Sequence, residues 1–511
     1  MSDLNLAFPW RLCLAVMSGV LLALSFPPVG ASLLAPLAVA LLVLAAYRTG
    51  ALRGALLGGI QGALCFGILL RWISLVGGDA WILLSGLCAA WIALVGLGIA
   101  LVTRLRWWPL WVACVWVLQE ALRDRIPFGG FPWGRLAFAQ TATTLTPWAA
   151  LGGAPLVTFM TALAGAVLAG AVIVVVARRV RWQRWLAAAG TGLVVLGVAG
   201  LLIPRPTSGE SVGGPAQVTA AVIQGGVPNI GISNSDDRQA VLDRHIAATL
   251  DLARNVAAGD APAPELVIWP ENAVDINPYV HPEVASALTS TAKAIDAPIL
   301  VGAVIDAPGD PSRIANVAIV WSPETGPGEM YVKRHPVPFG EYVPLRSLIA
   351  PLVGRLDRLP RDMADGQVPG VLQVGPARVG DVICFEVAYD QPVREAVTAG
   401  GRVIVVQTNN ATFAGLGQPE QQIAMSRLRA VEHGRTVLVA ATSGISAIIA
   451  PDGSLLTEMP EGATGHLIDA IALRDTETVS DRLGEWPEWI LAATGLLAMG
   501  WAAFGRRHGS T

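Results

Sequence analysis

Gly380–Asp390 reads GDVICFEVAYD. A β-branched run, Val382-Ile383, reaches Cys384 and is followed at once by Phe385 and Glu386, so a buried strand stops where a charged residue begins. Similar runs recur on both sides. VTAAVIQGG, ELVIWPEN, APILVGAVI, ANVAIVWSP, RVIVVQTNN and TVLVAATSGISAIIAPDGSLL read as strands. RQAVLDRHIAATLDLARNVAA, HPEVASALTSTAKAI and PEQQIAMSRLRAVEHGR read as amphipathic helices between them. Strands alternating with helices predict a layered α/β domain over 217–472, with linkers at 206–216 (within PRPTSGESVGGPAQ) and 473–488 (DTETVSDRLGEWPEW).

Outside that domain the composition changes. The chain of 511 residues is 53% hydrophobic and only 14% charged, against about 25% charged in soluble domains, which predicts a part dissolved in lipid. Apolar runs lie near 11–28, 31–47, 54–74, 80–103, 108–121, 149–177 and 185–203, with an eighth near 489–505. A spanning helix needs roughly 20 apolar residues, so the expectation is a seven-helix transmembrane bundle over 1–205 and an eighth span with a tail over 489–511. No cleavage site and polar mature region follow the first run, which is therefore read as a span rather than a signal peptide. The 17 Trp residues against five Tyr include several where apolar runs meet polar ones, as interfacial anchors do. A formal net charge of −3 leaves no basic excess for a nucleic-acid partner.

The basic residues set the orientation. With the N-terminus inside, the cytoplasmic ends carry Arg11, Arg48, Arg53, Arg104, Arg106, Arg178, Arg179, Arg181, Arg184, Arg506 and Arg507. The opposite short loops carry only Arg71, Arg123, Arg125 and Arg135. Both termini are then cytoplasmic, and the α/β domain is extracytoplasmic.

In that oxidising setting a soluble domain usually pairs its cysteines. Cys13, Cys65, Cys88 and Cys114 fall inside apolar runs, whereas Cys384 has no partner in its own domain. A thiol becomes nucleophilic only when a base or cation helps to deprotonate it. Glu271 ends the strand of VIWPEN, and Lys333 stands in MYVKRHPVPFGEYVP before a Pro-rich loop. Taken singly, Cys384 could be a core residue, Glu271 a strand-end cap and Lys333 a surface lysine.

Taken together, WPE, KRHPVPFGEYVP and ICFE resemble the nitrilase superfamily in their order and strand contexts. The string PVPFGEYVP, with SFPPVG, GGFPWGRLAFAQ and GEWPEW in the apolar parts, resembles its integral-membrane branch, the apolipoprotein N-acyltransferase family, over essentially the full length. That resemblance implies an αββα sandwich for the extracytoplasmic domain. It also implies roles: Cys384 as nucleophile, Glu271 as general base, Lys333 as the cation beside the tetrahedral intermediate, and Glu341 as the glutamate that positions them. Phe385 and Glu386 match positions that shape the pocket, and the Phe385 N–H is an expected oxyanion donor. Phospholipid is the implied acyl donor, through a Cys384 thioester, and the α-amino group of a lipoprotein's S-diacylglyceryl cysteine the acceptor. The implied location is a bacterial inner membrane. No cofactor and no metal are expected.

The sequence departs from the family at three places. ATFAGLGQPEQQ replaces an Asp-Ala-Trp-Phe-Gly run, NIGISNSDD lacks a tryptophan of some relatives, and Pro336 follows His335 where Leu is usual. Two other readings share the triad. One is a membrane-anchored amidase that uses water as second nucleophile. The other is a scaffold for a polyprenyl-phosphate mannose synthase, to which some relatives are fused or bound.

Overall fold

The structure, a computed structural model, describes residues 6–177, 182–210, 214–228 and 235–504. It divides into two compact units, Met1–Pro204 with Arg482–Thr511, and Arg205–Asp481. Arg178, Arg179, Arg181, Arg506 and Arg507 lie outside the described residues, as does most of NIGISNSDD.

In the first unit each apolar run carries a helix: α1 (Phe8–Leu24), α2 (Leu34–Ala46), α3 (Ala51–Leu69), α4 (Gly78–Val102), α5 (Trp108–Arg123), α6 (Ala149–Val176) and α7 (Trp182–Leu202). The helix Trp486–Phe504 joins them after the second unit. Among the described residues, three stretches are long and apolar enough to cross a membrane: Ala51–Leu69, Gly78–Val102 and Thr146–Val176. Others are apolar but short. The 13 residues of α2 reach about 20 Å at 1.5 Å per residue, less than a hydrocarbon core of about 30 Å.

Between α3 and α4 the side chains vanish so that backbones can meet. Gly54, Gly58 and Gly62 recur every fourth residue on one face of α3. A Cβ on Gly54 would stand 2.4 Å from the Gly96 carbonyl oxygen, and one on Gly96 2.1 Å from that of Gly54. In lipid, where apolar side chains gain nothing by leaving the solvent, such close approach is what holds helices together.

Charges buried in this unit serve the segment after α5. Arg123 donates to the carbonyls of Phe131, at 2.8 Å, and Trp133. Glu120 accepts from the Leu136 N–H at 2.9 Å and from Thr158 Oγ1 at 2.7 Å. Arg135 stands 3.3 Å from Asp124. The GGFPWGRLAFAQ segment, which has little regular structure, is thus fixed by charges that pair with one another and with its backbone.

The second unit is two six-stranded sheets face to face. The first has the order β12-β1-β2-β3-β4-β5 and the second β11-β10-β9-β8-β7-β6. The strands of the first are β1 (Gln217–Gln224), β2 (Leu266–Ile268), β3 (Ile299–Ala307), β4 (Asp310–Ser322), β5 (Gly326–Val332) and β12 (Gly465–Ala472). Those of the second are β6 (Val371–Val374), β7 (Ala377–Ile383), β8 (Val403–Thr408), β9 (Val437–Ala441), β10 (Ser446–Ile449) and β11 (Leu455–Met459). Val222, Ile268 and Leu300 of one sheet and Ile383, Val405 and Leu438 of the other share one fully buried cluster between the sheets. Outside the first sheet, α8 (Ser235–Ala258) and α9 (Pro282–Ile295) bury Leu242, Leu252, Leu288 and Ile295. Outside the second lie α10 (Asp390–Thr398) and α11 (Gln418–His433). The layers are therefore helix, sheet, sheet, helix. Central strands buried on both faces read as continuous apolar runs, and β8 is buried at all six positions.

Register decides what meets at the strand ends. β1, β2 and β3 run parallel, as do β7, β8 and β9. Ile383 pairs with Gln407, so Cys384, one residue on, comes level with Thr408. In the antiparallel pair β4–β5, Val317 pairs with Val332, which brings Lys333 level with Asn316 and lets its N–H donate to the Asn316 carbonyl at 2.9 Å. The Gln407 side chain crosses between the sheets, donating to the Trp269 carbonyl at 2.5 Å.

Candidate active site

Glu271 follows β2 across Trp269-Pro270, and its backbone lies against β3 where only glycine fits. A Cβ at Gly302 would stand 2.2 Å from the Pro270 carbonyl oxygen. Lys333 follows β5 and Cys384 follows β7, while Glu341 stands in the loop beyond Lys333. Residues up to 113 positions apart in sequence are thereby placed together where the strand ends of the two sheets meet.

Lys333 is the hub. Its Nζ donates to Glu341 Oε1 at 2.7 Å and to Glu271 Oε1 at 3.1 Å, and the side chain is only 1% exposed. Asn316 Nδ2 donates to the same two oxygens, at 2.7 Å to Glu271 and 3.1 Å to Glu341. The second oxygens are also held: Glu271 Oε2 accepts from the Asn409 N–H at 2.8 Å, and Glu341 Oε2 from the Val337 N–H at 2.7 Å. Burial opposes the charge on Lys333, but Glu271 and Glu341 overcome it and hold the ammonium well above its ordinary range.

Cys384 is different. It adopts φ +56°, a region a side chain rarely enters, at the start of a 3-10 turn, Cys384–Ala388. Burial and then the Glu271 charge push its thiol up to about 12, with Lys333 and the Thr408 hydroxyl pulling the other way. The expectation that the ammonium favours a thiolate holds in direction only. Burial leads and the carboxylates add to it against one ammonium, so the resting sulfur keeps its proton, and a base must take it during attack.

Glu386 is fully buried and accepts from Tyr331 Oη at 2.9 and 3.0 Å, from Ile383 N–H at 2.8 Å, and from the N–H groups of Arg334 at 2.7 Å and His335 at 3.0 Å. Burial resists its charge, yet its contacts with His335 and Ile383 keep the carboxyl below its usual value. Ile383 precedes the nucleophile candidate and Arg334 follows Lys333, so one carboxylate fixes both strand ends. Phe385 is buried and meets Tyr389 edge-on at 5.4 Å, and Tyr389 stacks on His335 at 4.8 Å.

Sequence reasoning missed Asn316, Thr408, Asn410 and Gln422. Thr408 Oγ1 is 3.2 Å from Cys384 Sγ and 3.0 Å from Gln422 Oε1. Gln422 Nε2 donates to the Cys384 carbonyl at 3.1 Å, and Asn410 Nδ2 donates to Gln422 Oε1 at 2.8 Å. A usable signal existed for Asn316, a lone polar residue inside the apolar run ANVAIVWS.

A carboxylate, a buried ammonium and a strained cysteine at the joined edge of two sheets define an enzyme of the carbon-nitrogen hydrolase, or nitrilase, class, and residues 219–481 match the family described as Carbon-nitrogen hydrolase. Residues 18–167 match a second one, the Apolipoprotein N-acyltransferase N-terminal domain. The Apolipoprotein N-acyltransferase of Mycolicibacterium smegmatis is 39% identical, covering 95% of this chain and 84% of its own. That of Geobacter metallireducens is 30% identical, covering 94% and 93%. The chain belongs to the apolipoprotein N-acyltransferase family. Nit3 of Saccharomyces cerevisiae, a solved member of the nitrilase superfamily, covers 53% of the chain and 95% of its own at 18% identity with a TM-score of 0.38, too low a likeness to weigh.

Proposed function

We propose that this enzyme moves an acyl chain from a membrane phospholipid to the α-amino group of a lipoprotein's S-diacylglyceryl cysteine, through a thioester on Cys384. The observation that carries the reading is the ammonium of Lys333 held between Glu271 and Glu341 beside Cys384, in a chain of this family.

Glu271 takes the Sγ proton as sulfur bonds to the ester carbonyl carbon. Lys333 Nζ and the Phe385 N–H donate to the oxygen that becomes negative, each such donor being worth about 3 kcal/mol in the transition state. The ester C–O bond then breaks, and Glu271 passes its proton to the leaving glycerol oxygen. The lysophospholipid departs. The acceptor enters as a free amine, and its nitrogen attacks the thioester carbon and gives a proton to Glu271. The C–S bond breaks, and sulfur recovers that proton. Glu341 and Asn316 hold Lys333 and Glu271 in place throughout, and Glu386 fixes the two backbone segments that carry Lys333 and Cys384.

The topology belongs to the same reading: eight helices in a bacterial inner membrane over 1–205 and 489–511, both ends cytoplasmic, and the catalytic domain, 217–472, on the outer side where both lipid substrates lie. One end of the bundle supports it. Arg11 donates to the carbonyls of Ala45 and Tyr47, the Arg48 N–H to Thr103 Oγ1, and Arg104 to the Thr49 carbonyl, so these arginines share one end. Apolar side chains beside Glu341 suit lipid: Phe339, Leu345 and Leu348 are 41%, 61% and 65% exposed.

The test is intact-mass spectrometry after incubation with phospholipid. A hydroxylamine-labile gain of one acyl chain, absent from Cys384→Ala and Glu271→Gln that still fold in detergent, is expected. An equal adduct in Cys384→Ala overturns the assignment.

A further inference from the structure

The Thr408 hydroxyl stands within reach of two acceptors, Cys384 Sγ at 3.2 Å and Gln422 Oε1 at 3.0 Å. A hydroxyl has one proton and serves one of them at a time. Which way the Gln422 amide faces is fixed by its neighbours. Its Nε2 donates to the Cys384 carbonyl at 3.1 Å. Its Oε1 accepts from Asn410 Nδ2 at 2.8 Å, and the second Asn410 proton goes to Gln418 Oε1 at 2.7 Å. Turning Gln422 over would set its Nε2 against Asn410 Nδ2 and its Oε1 against the Cys384 carbonyl, and turning Asn410 over would set its Oδ1 against two oxygens, so Gln422 Oε1 stays an acceptor for Thr408.

We infer that Thr408 is a further catalytic residue, a two-position donor that turns to Cys384 Sγ when the sulfur is negative and back to Gln422 Oε1 when the sulfur is protonated or acylated. Gln422 is the positioning residue that makes the second position available and holds the strained Cys384 backbone through its carbonyl. The inference rests on the reading of Cys384 as nucleophile. A thiolate is a far better acceptor than a thiol or a thioester sulfur, because a hydrogen bond to an ionised partner is roughly twice as strong as one between neutral groups. The charges that face this sulfur are Glu271 from the end of β2, Lys333 from the end of β5, and Glu341 from the loop beyond. With the carboxylates outweighing the ammonium, a donor aimed at sulfur only while it is charged lowers the barrier both to attack and to the later departure of the thiolate. Parked on Gln422, the fully buried hydroxyl keeps a hydrogen-bond partner of its own.

The experiment follows the thiol rather than turnover. The Cys384 peptide is monitored by mass spectrometry during alkylation by iodoacetamide between pH 7 and 9, in the full-length protein in detergent. Loss of the donor in Thr408→Val raises the thiol by about one unit, which cuts the thiolate tenfold and raises its intrinsic reactivity about threefold. The expected result is alkylation roughly threefold slower at every pH, with Thr408→Ser returning to the wild-type line. Gln422→Met removes the competing acceptor and shifts the line the opposite way, towards faster alkylation. It leaves Thr408 intact and keeps the test decisive should Thr408→Val fail to fold. A Thr408→Val line that coincides with wild type, a Thr408→Ser line as slow as Thr408→Val, or slower alkylation in Gln422→Met overturns the inference. Acyl transfer by Cys384→Ala would instead overturn the reading of the nucleophile, and the alkylation rates would be unaffected by that outcome.

Discussion

Lys333 Nζ lies 2.7 Å from Glu341 Oε1, nearer than the 3.1 Å to Glu271. The glutamate outside the proposed proton relay thus holds the ammonium more closely than the base does. This sharing leaves one negative charge uncompensated beside Cys384. Glu271 is then free to exchange protons without losing its place.

Removing the hub should damage stability as well as chemistry. Lys333→Met leaves buried Glu271 and partly buried Glu341 facing each other, and breaking a buried pair this way costs about 3–5 kcal/mol. We expect a markedly lower Tm in detergent and no acyl-enzyme. Adding Glu341→Gln should recover part of the Tm and none of the acylation. Equal Tm values for the single and double variants would show that Glu341 does not share the charge.

Glu271→Gln should abolish acyl transfer yet make Cys384 more reactive to a small alkylating agent. Burial and the Glu271 charge raise the thiol to about 12. Removing the negative charge moves it down, so more thiolate exists at pH 8. Iodoacetamide labelling of the Cys384 peptide, compared with wild type at one pH, measures the sign. Slower labelling in Glu271→Gln contradicts the electrostatics described above.

Asp381, three residues before Cys384, is fully buried, and neither carboxyl oxygen has a hydrogen-bond partner among the described residues. Burial, then Glu386 and Glu271, raise it well above the usual carboxylate range. A group whose folded value is raised contributes stability below its unfolded value, near 3.8, and that contribution fades as pH rises towards the folded value. Asp381→Asn removes this dependence. The Tm difference, variant minus wild type, should therefore grow between pH 5 and pH 8. A difference constant over that range argues that Asp381 is not held protonated.

In the bundle, Gly96→Val should be far more damaging than Gly86→Val. A Cβ at Gly96 meets the Gly54 carbonyl oxygen at 2.1 Å, whereas one at Gly86 meets nothing within 4 Å. Overpacking costs about 1–3 kcal/mol or more when the obstacle is backbone. Detergent Tm and yield of folded protein separate the two variants.

Much of this architecture is local and was readable in advance. Among the described residues, apolar runs marked eight helices of the first unit, three of them in stretches long and apolar enough to cross a membrane, and β-branched runs marked β1 to β4 and β7 to β10. The strands β5, β6 and β12 and the helix Asp390–Thr398 escaped notice. GPGEMYV and GHLIDAIA carry polar and glycine residues because both are edge strands left partly open. DQPVREAVT is short and polar on its outer face.

The sequence by itself determined which residue types could do chemistry and the order in which they occur, because strand and helix periods and a solitary cysteine are properties of neighbouring residues. It could not determine which polar groups face one another. Asn316 bridging Glu271 and Glu341, Glu386 tying the ends of β5 and β7 together, and Thr408 standing between Cys384 and Gln422 all depend on β-sheet register and on contacts between residues up to 55 positions apart. A slip of one residue in a strand would turn each of these side chains to the opposite face. The same is true of charge: the ammonium's presence was legible, but its division between two carboxylates, and the burial that with them keeps the sulfur protonated, were decided only when the strand ends came together.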